Sequence, residues 1–417
     1  LIRWRVLCAM AVTGCLCGIA PMSLSAQEAD FQTALVLAKT HDSEFEIARQ
    51  KYRSEQEEDD ISLSTLLPSV TLEGIHREQL IDDIYTDSSS SQFSSSLARS
   101  ERHQSDSTLR LNIRQSLVDV SAWKGYRRDQ VAIEQSRFIY FRAEQEITYR
   151  LATAYLEVLL SEQKVHIYKE KLATLRLKVG QELRRLELGV GDRLSVLRIQ
   201  ASRDLAKSDL LEASSALDDA LTRLENITGQ SVEVPAAWIK TNYQAFPVLS
   251  TGTLDEWTAK TAGNARVQAE FANVRRAELD LSSKKAQHLP TLGFNLAASR
   301  DYSDDVFKES TDLVATFNLK VPLYTGGRVS AQTRQAEANH LAARARYEKS
   351  STDTIQVVKL AFNRLASYKK RLEALDASRK SSEAFLAAAE REVSLNLASQ
   401  VNVLEMRDDL YDVQLQF

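Results

Sequence analysis

Apolar residues recur along this chain with two different periods. Between residues 120 and 187, Leu151, Val158, Val165, Leu172, Val179 and Leu186 return every seven positions. Ile147, Ala154, Tyr168 and Leu175 fill the alternate positions, interrupted by Ser161 and Glu182. That 3-4 spacing is a coiled-coil seam. A helix of about 65 residues would be about 100 Å long at 1.5 Å per residue, longer than a globular core needs. Further helices are predicted over 28–66, 193–228, 253–287 and 328–394, with a last one starting near 400. The prolines (Pro21, Pro68, Pro235, Pro247, Pro290 and Pro322) agree, because none falls between 69 and 234 or after 322. A proline inside a helix costs about 3 kcal/mol, so these residues mark joints.

Four short segments follow a period of two. Leu109, Leu111 and Ile113 alternate with Arg110, Asn112 and Arg114. Leu292, Phe294, Leu296 and Ala298 alternate with Gly293, Asn295, Ala297 and Ser299. Leu313 to Val321 behaves in the same way, and Val70 to Gln79 does so more weakly. Period two predicts strands with one apolar face. Each is about 8–11 residues, the length that crosses an outer membrane when tilted. Arg110, Asn112, Arg114, Asn295, Asn318 and Lys320 would then line a wet lumen. A small sheet in a soluble protein fits the same alternation. The strands form two hairpins, around a serine-rich loop at 81–106 and an aspartate-bearing loop at 301–310.

The chain also repeats itself. Leu66 to Leu72 recurs as His288 to Phe294, offset by 222 residues. Leu188 to Leu197 recurs as Leu395 to Leu404, offset by 207. Each half reads as helix, strand, loop, strand, long helix, tight turn and returning helix. A duplication this long predicts a pseudo-symmetric body. The first repeat covers 27–252, with a proline-bearing linker at 229–252, and the second covers 253–417 with its last helix truncated, either as a genuinely short helix or because the sequence is a fragment.

Residues 1–26 read as a secretion signal, with Arg3 and Arg5, an apolar Val6–Ala20 run and a small-residue zone ending at Ala26. All three cysteines (Cys8, Cys15 and Cys17) lie in this leader. Val12-Thr13-Gly14-Cys15 also resembles a lipoprotein box, which would leave Cys15 lipidated. No segment after the leader has the ~18 consecutive apolar residues of a membrane helix, so any membrane crossing requires a closed β-barrel. The net charge of −4 over 417 residues gives no field for nucleic acid. The six histidines are scattered and show no metal-ligand spacing. Neither a phosphate loop nor a nucleophile elbow is present, so no cofactor or enzymatic activity is expected.

Val321-Pro322-Leu323-Tyr324-Thr325-Gly326-Gly327-Arg328 is followed by an Ala/Gln/Arg-rich helix. Together with the Leu-Pro strand starts at 67–68 and 289–290, Leu224 to Gly229, and Val401-Asn402-Val403-Leu404, it resembles the TolC family of outer-membrane efflux proteins. The resemblance covers the whole mature chain. It implies a mixed α/β fold in which each of three protomers gives four strands to a 12-stranded transmembrane barrel. Long antiparallel coiled-coil helices would form a periplasmic α-barrel. It further implies a passive duct for efflux or type I secretion, whose partners are two further copies, a periplasmic adaptor, an inner-membrane transporter and outer-membrane lipid. The strand-to-helix junctions would be Pro322 with Gly326 and Gly327, and Ser116 to Ser121. Helix tips at Gly189, Val190, Gly191, Asp192 and Arg193, and at Ala398, Ser399 and Gln400, would meet the adaptor. Asn402 and Glu405 fall at the positions of the family's acidic entrance ring, with Asn402 replacing the usual aspartate. Glu405 reads equally as a solvated charge on a helix face. A coiled-coil adaptor or scaffold without a pore is the rival from another class; it would share the heptads but has no need of four two-faced strands.

Overall fold

A computed structural model describes residues 27–28, 30–86, 97–234, 252–304, 309–395 and 400–417 of the chain. The helices are α1 (Phe31–His41), α2 (Ser43–Ser64), α3 (Val120–Glu187), α4 (Arg193–Thr228), α5 (Leu254–Lys260), α6 (Ala265–Ala286), α7 (Arg328–Ser394) and α8 (Gln400–Gln416). The strands are β1 (Gln27–Glu28), β2 (Ser69–Thr86), β3 (Leu97–Val118), β4 (Val232–Glu233), β5 (Thr291–Ser303) and β6 (Glu309–Lys320). The predicted leader and Cys15 lie outside the described residues, as do most of the 229–252 linker and the turn at 396–399. The chain divides into two compact units. One holds β1, α1, α3 from Leu151, α4 and β4; the other holds α2, the large sheet, α3 up to Arg150, and everything from α5 onward.

In the first unit the heptad seam is the buried stripe. Leu151, Ala154, Val158, Val165, Leu172, Leu175 and Val179 are all buried. So are the interrupting residues Ser161 and Glu182, the latter donated to by Arg185 at 3.3 Å. Burying each large aliphatic side chain contributes about 1.5–3 kcal/mol. Helix α4 buries Val196, Ile199, Ala206, Ala213, Ala220 and Leu224. The alanines seven apart allow close approach along the seam. Arg223 Nη1 donates to Glu157 Oε1 at 2.6 Å, linking the antiparallel helices α3 and α4. β1 and β4 pair in parallel, joining the first described residues to the end of α4.

The second unit is built on a four-stranded antiparallel sheet in the order β2-β3-β5-β6. Helix α6 runs along α7, whose buried face repeats every seven residues at Val329, Ala336, Ala343 and Ser350. Phe271 and Tyr347 meet across that pair with ring centroids 5.6 Å apart.

Three expectations are corrected here. The helix predicted over 28–66 is two helices, because Asp42 leaves helical geometry (φ −65, ψ 119) and caps α2 through a 2.7 Å bond from Phe45 N. The helix predicted over 253–287 is likewise broken, by a 3₁₀ turn at Thr261–Gly263 and a fresh N-cap at Asn264. The strands are 12 to 22 residues long, not 8–11, and take in much of both predicted loops, 81–106 and 301–310. Their outer parts are largely polar, and the apolar residues there come in adjacent pairs (Leu80 with Ile81, Ile84 with Tyr85) that fall on opposite faces. They therefore lack the alternation that marks a strand, while the backbone ladder continues through them.

Candidate functional site

Antiparallel pairing puts directly opposed residues on one face, so the register sorts the sheet into two faces. One carries Val70, Ile113, Leu296 and Ala315 in one row, Leu72, Leu111, Ala298 and Leu313 in the next, and the Phe294–Phe317 pair at 5.1 Å beside them. Much of this apolar face is exposed, with Leu72 at 68%, Leu313 at 72% and Phe317 at 69%. The other face carries Ser69, Arg114, Asn295 and Thr316, then Thr71, Asn112, Ala297 and Val314, then Glu73, Arg110, Ser299 and Asp312. All six residues predicted to line a lumen (Arg110, Asn112, Arg114, Asn295, Asn318 and Lys320) share this polar face. Sequence reading missed its acids, Glu73, Asp106, Asp301 and Asp312. Counting alternate positions outward from Arg110 would have found Asp106. The apolar face ends in Arg300, which pairs with Glu309, and Tyr302, 60% exposed.

At the opposite end of the sheet the chain turns into its long helices in two different ways. After β6, residues 321–327 form an open bend in which Gly326 (φ 64) and Gly327 (φ 80) both occupy left-handed backbone, and Gly327 caps α7. This is the permissive role the sequence assigns to both glycines. The bend leaves Leu323 and Tyr324 almost fully exposed. The first-half junction has no glycine. A bulge between Ser116 and Val118 redirects β3, and Asp119 caps α3 through a 2.9 Å bond from Ala122 N. Just inside the helices, Ser121 Oγ donates to Ser283 O at 3.1 Å, and Arg128 Nη1 donates to Asp280 Oδ1 at 3.2 Å. Arg128 is held above its ordinary pKa chiefly by its hydrogen bond to Asp129, against the opposing effect of burial.

The first helix tip is a tightly determined turn. Gly189 N donates to Leu186 O and Val190 N to Arg185 O, both at 3.0 Å, with Gly189 at φ 75. This is a Schellman closure, which needs left-handed backbone at its glycine. Asp192 then caps α4 by accepting from Ser195 N at 3.3 Å. The Asp192 carboxylate is therefore committed to its own helix, a role that sequence reading did not give it. Val190 and Leu194 stand out from the tip at 69% and 72% exposure.

At the second tip, Ala398 and Ser399 lie outside the described residues, as do the side chains of Gln400 and Asn402. Arg407 donates to Glu390, and Arg379 stands 5.6 Å from the ring of Phe417; both contacts pair α8 antiparallel to α7. Glu405 is exposed on α8, and Val403 beside it is buried.

Among the described residues no helix is long and apolar enough to cross a membrane. Nor does any group of three or more His, Cys, Asp and Glu residues among them have the arrangement to hold a metal.

Comparison with known proteins gives these surfaces a context. The sequence matches the family described as "Outer membrane efflux protein" over residues 34–230 and 261–417. It is 24% identical over 397 residues to the proteases secretion protein PrtF of Dickeya chrysanthemi, covering 94% of this chain and 84% of that one. It is 24% identical over 386 residues to the alkaline protease secretion protein AprF of Pseudomonas aeruginosa, covering 90% and 78%. The fold superimposes on the outer membrane protein VceC of Vibrio cholerae with a TM-score of 0.73 at 16% identity, covering 92% and 90%. The family consists of passive outer-membrane channels of Gram-negative bacteria, with a large periplasmic part and no enzymatic activity. The chain belongs to the outer membrane efflux protein family, of the TolC type.

Proposed function

We propose that three copies of this chain close into one duct, and that the duct passively conducts cargo delivered by an inner-membrane transporter through a periplasmic adaptor. The observation that carries the reading is the sheet itself. Its edge strands β2 and β6 each have a free side within the chain, and its apolar face is exposed. Open edges and a bare apolar face are unfavourable for a lone soluble sheet. Twelve strands from three copies would pair both edges, bury the apolar face in lipid and turn the polar face onto water. Tyr302 at one margin and Tyr324 at the other suit the two membrane–water boundaries. The matched lengths of α3 and α7, at 68 and 67 residues, support an internal duplication that builds an α-barrel from both halves.

In this reading the tips at Gly189–Arg193 and 398–400 contact the adaptor, and Asn402 and Glu405 face the periplasmic entrance. The names of PrtF and AprF favour export of proteins, hence a type I secretion system, over export of small molecules. The test is extraction of the full chain from outer membranes in mild detergent, run with and without heating. A heat-sensitive species near three times the 46.8 kDa chain mass supports the duct. A soluble monomer or dimer recovered without detergent refutes it in favour of a coiled-coil scaffold.

A further inference from the structure

Fixed charges on the polar face of the sheet are sorted by height. The face is stacked in rows two residues apart, about 6.8 Å along each strand. The rows nearest the long helices hold Lys320, then Asn318 and Gly293, then Arg114 and Asn295. They contain two bases and no acid. Both bases are exposed, and neither meets a carboxylate at ion-pair distance among the described residues. The next row, Thr71 with Asn112, Ala297 and Val314, is uncharged.

Beyond that row the balance inverts. Arg110 stands in a row with Glu73 and Asp312, Asp301 follows, and Asp106 stands beside Arg77. The acids are held in position: Thr108 Oγ1 donates to Asp301 Oδ1, and Ser303 Oγ donates to Asp106 Oδ1, both at 2.6 Å.

We propose that these rows form a bipolar lining, a basic belt at the helix end and an acidic belt at the outer end, which makes ion flow through the duct depend on direction. This rests on the trimeric barrel described above. Twelve strands about 4.8 Å apart, tilted by about 40°, give a circumference near 75 Å and a backbone radius of about 12 Å. The Debye length is about 30 Å in 0.01 M salt and about 3 Å in 1 M. The belts therefore control the whole cross-section in dilute salt and only a thin wall layer in concentrated salt. Anions gather at the basic belt and cations at the acidic one. A field that drives anions outward and cations inward brings both into the uncharged row between the belts, where they accumulate. The opposite field draws both away and depletes that row.

The test is single-channel recording of the full chain inserted into a planar bilayer from one side, so that its large helical part stays on the side of addition. With the far side positive, the current in 0.01 M KCl is expected to exceed that at the opposite polarity by about twofold or more, with the ratio approaching one in 1 M KCl. The paired change Arg114→Gln with Lys320→Gln is expected to lower that ratio and raise cation preference. Wild-type channels with symmetric currents in 0.01 M KCl overturn the belts while leaving the barrel standing. So does a ratio that the paired change leaves untouched. Where that pair does not insert, Asp301→Asn with Asp312→Asn is measured from the other end of the gradient. It should lower the ratio and reduce cation preference, and an unchanged ratio overturns the proposal. Absence of any channel from the wild-type chain overturns the barrel reading itself, and the belts with it.

Discussion

Two glycines of the first helix tip look alike in sequence, and replacing each by alanine separates two kinds of backbone constraint. At Gly189 the constraint is conformational. Its φ is 75, and a Cβ built there would have nothing within 4 Å. Gly189→Ala should cost only the left-handed penalty, about 1–2 kcal/mol. At Gly191 the constraint is steric. A Cβ would lie 2.5 Å from Leu186 N, 2.7 Å from Arg185 C and 2.9 Å from Leu186 Cα. All three are main-chain atoms, so relief requires the turn to open by about 1 Å, since carbon contacts are comfortable near 3.5 Å. Opening it breaks the two 3.0 Å closing bonds and displaces the Asp192 cap. At about 1 kcal/mol for each bond and about 1 kcal/mol for the cap, the loss is about 3 kcal/mol. It falls on the tip, so the rest of α3 and α4 keeps its structure. Hydrogen exchange in detergent reads this directly. Protection of the Gly189 and Val190 amides should drop about a hundredfold in Gly191→Ala and about tenfold in Gly189→Ala. Equal losses, or a larger loss in Gly189→Ala, would refute the steric argument.

Other changes probe other joints. Asp42 is 5% exposed, caps α2, and accepts from Arg150 Nη2 at 2.8 Å. Asp42→Ala should lower stability by about 2–4 kcal/mol, and Asp42→Asn by less because the cap survives, as read by thermal unfolding followed by circular dichroism. Gly326→Val with Gly327→Val forces two branched residues into left-handed backbone, and it should sharply reduce the amount of folded protein in outer membranes, while single alanines are tolerated. Glu162 has a buried, unpaired carboxylate oxygen, and burial raises its pKa from 4.5. The unfolded chain therefore ionises first as pH rises, and the native state loses stability above that point. Glu162→Gln should be more stable than wild type at pH 7 and equal to it below about pH 4, as measured by urea unfolding of the helical signal.

The long helices and the two faces of the sheet were legible because burial imposes a period, and a period survives in sequence without any knowledge of contacts. The seam from Leu151 to Val179 and the alternation from Leu109 to Arg114 are of this kind. The helix breaks at Asp42 and Asn264 were not legible, since a single capping side chain can end a helix without disturbing the apolar spacing around it. The outer halves of β2 and β3 were missed for the complementary reason: their sequence shows no alternation, with Leu80-Ile81 and Ile84-Tyr85 in adjacent pairs and His103 to Asp106 all polar, so they read as loop while pairing as strand. The junction glycines announced themselves, whereas the glycine-free junction at Asp119 did not, because a bulge and a cap carry no fixed motif.

The two hairpins differ in reach. β5 leaves β3 after the Asp106–Ser303 pair, yet β2 and β3 continue together from Glu78–Ser105 to Thr86–Leu97. Each chain therefore carries a two-stranded ribbon beyond the height at which its neighbours within the chain end. A lone pair of strands contributes little stability. It can accumulate substitutions and insertions that the sheet below would not tolerate. In the duct proposed above the ribbon would stand at the cell surface, and in a population under surveillance sequence diversity should concentrate there first. For the protein engineer, the same ribbon is the natural place to graft a foreign peptide for surface display without disturbing the wall beneath it.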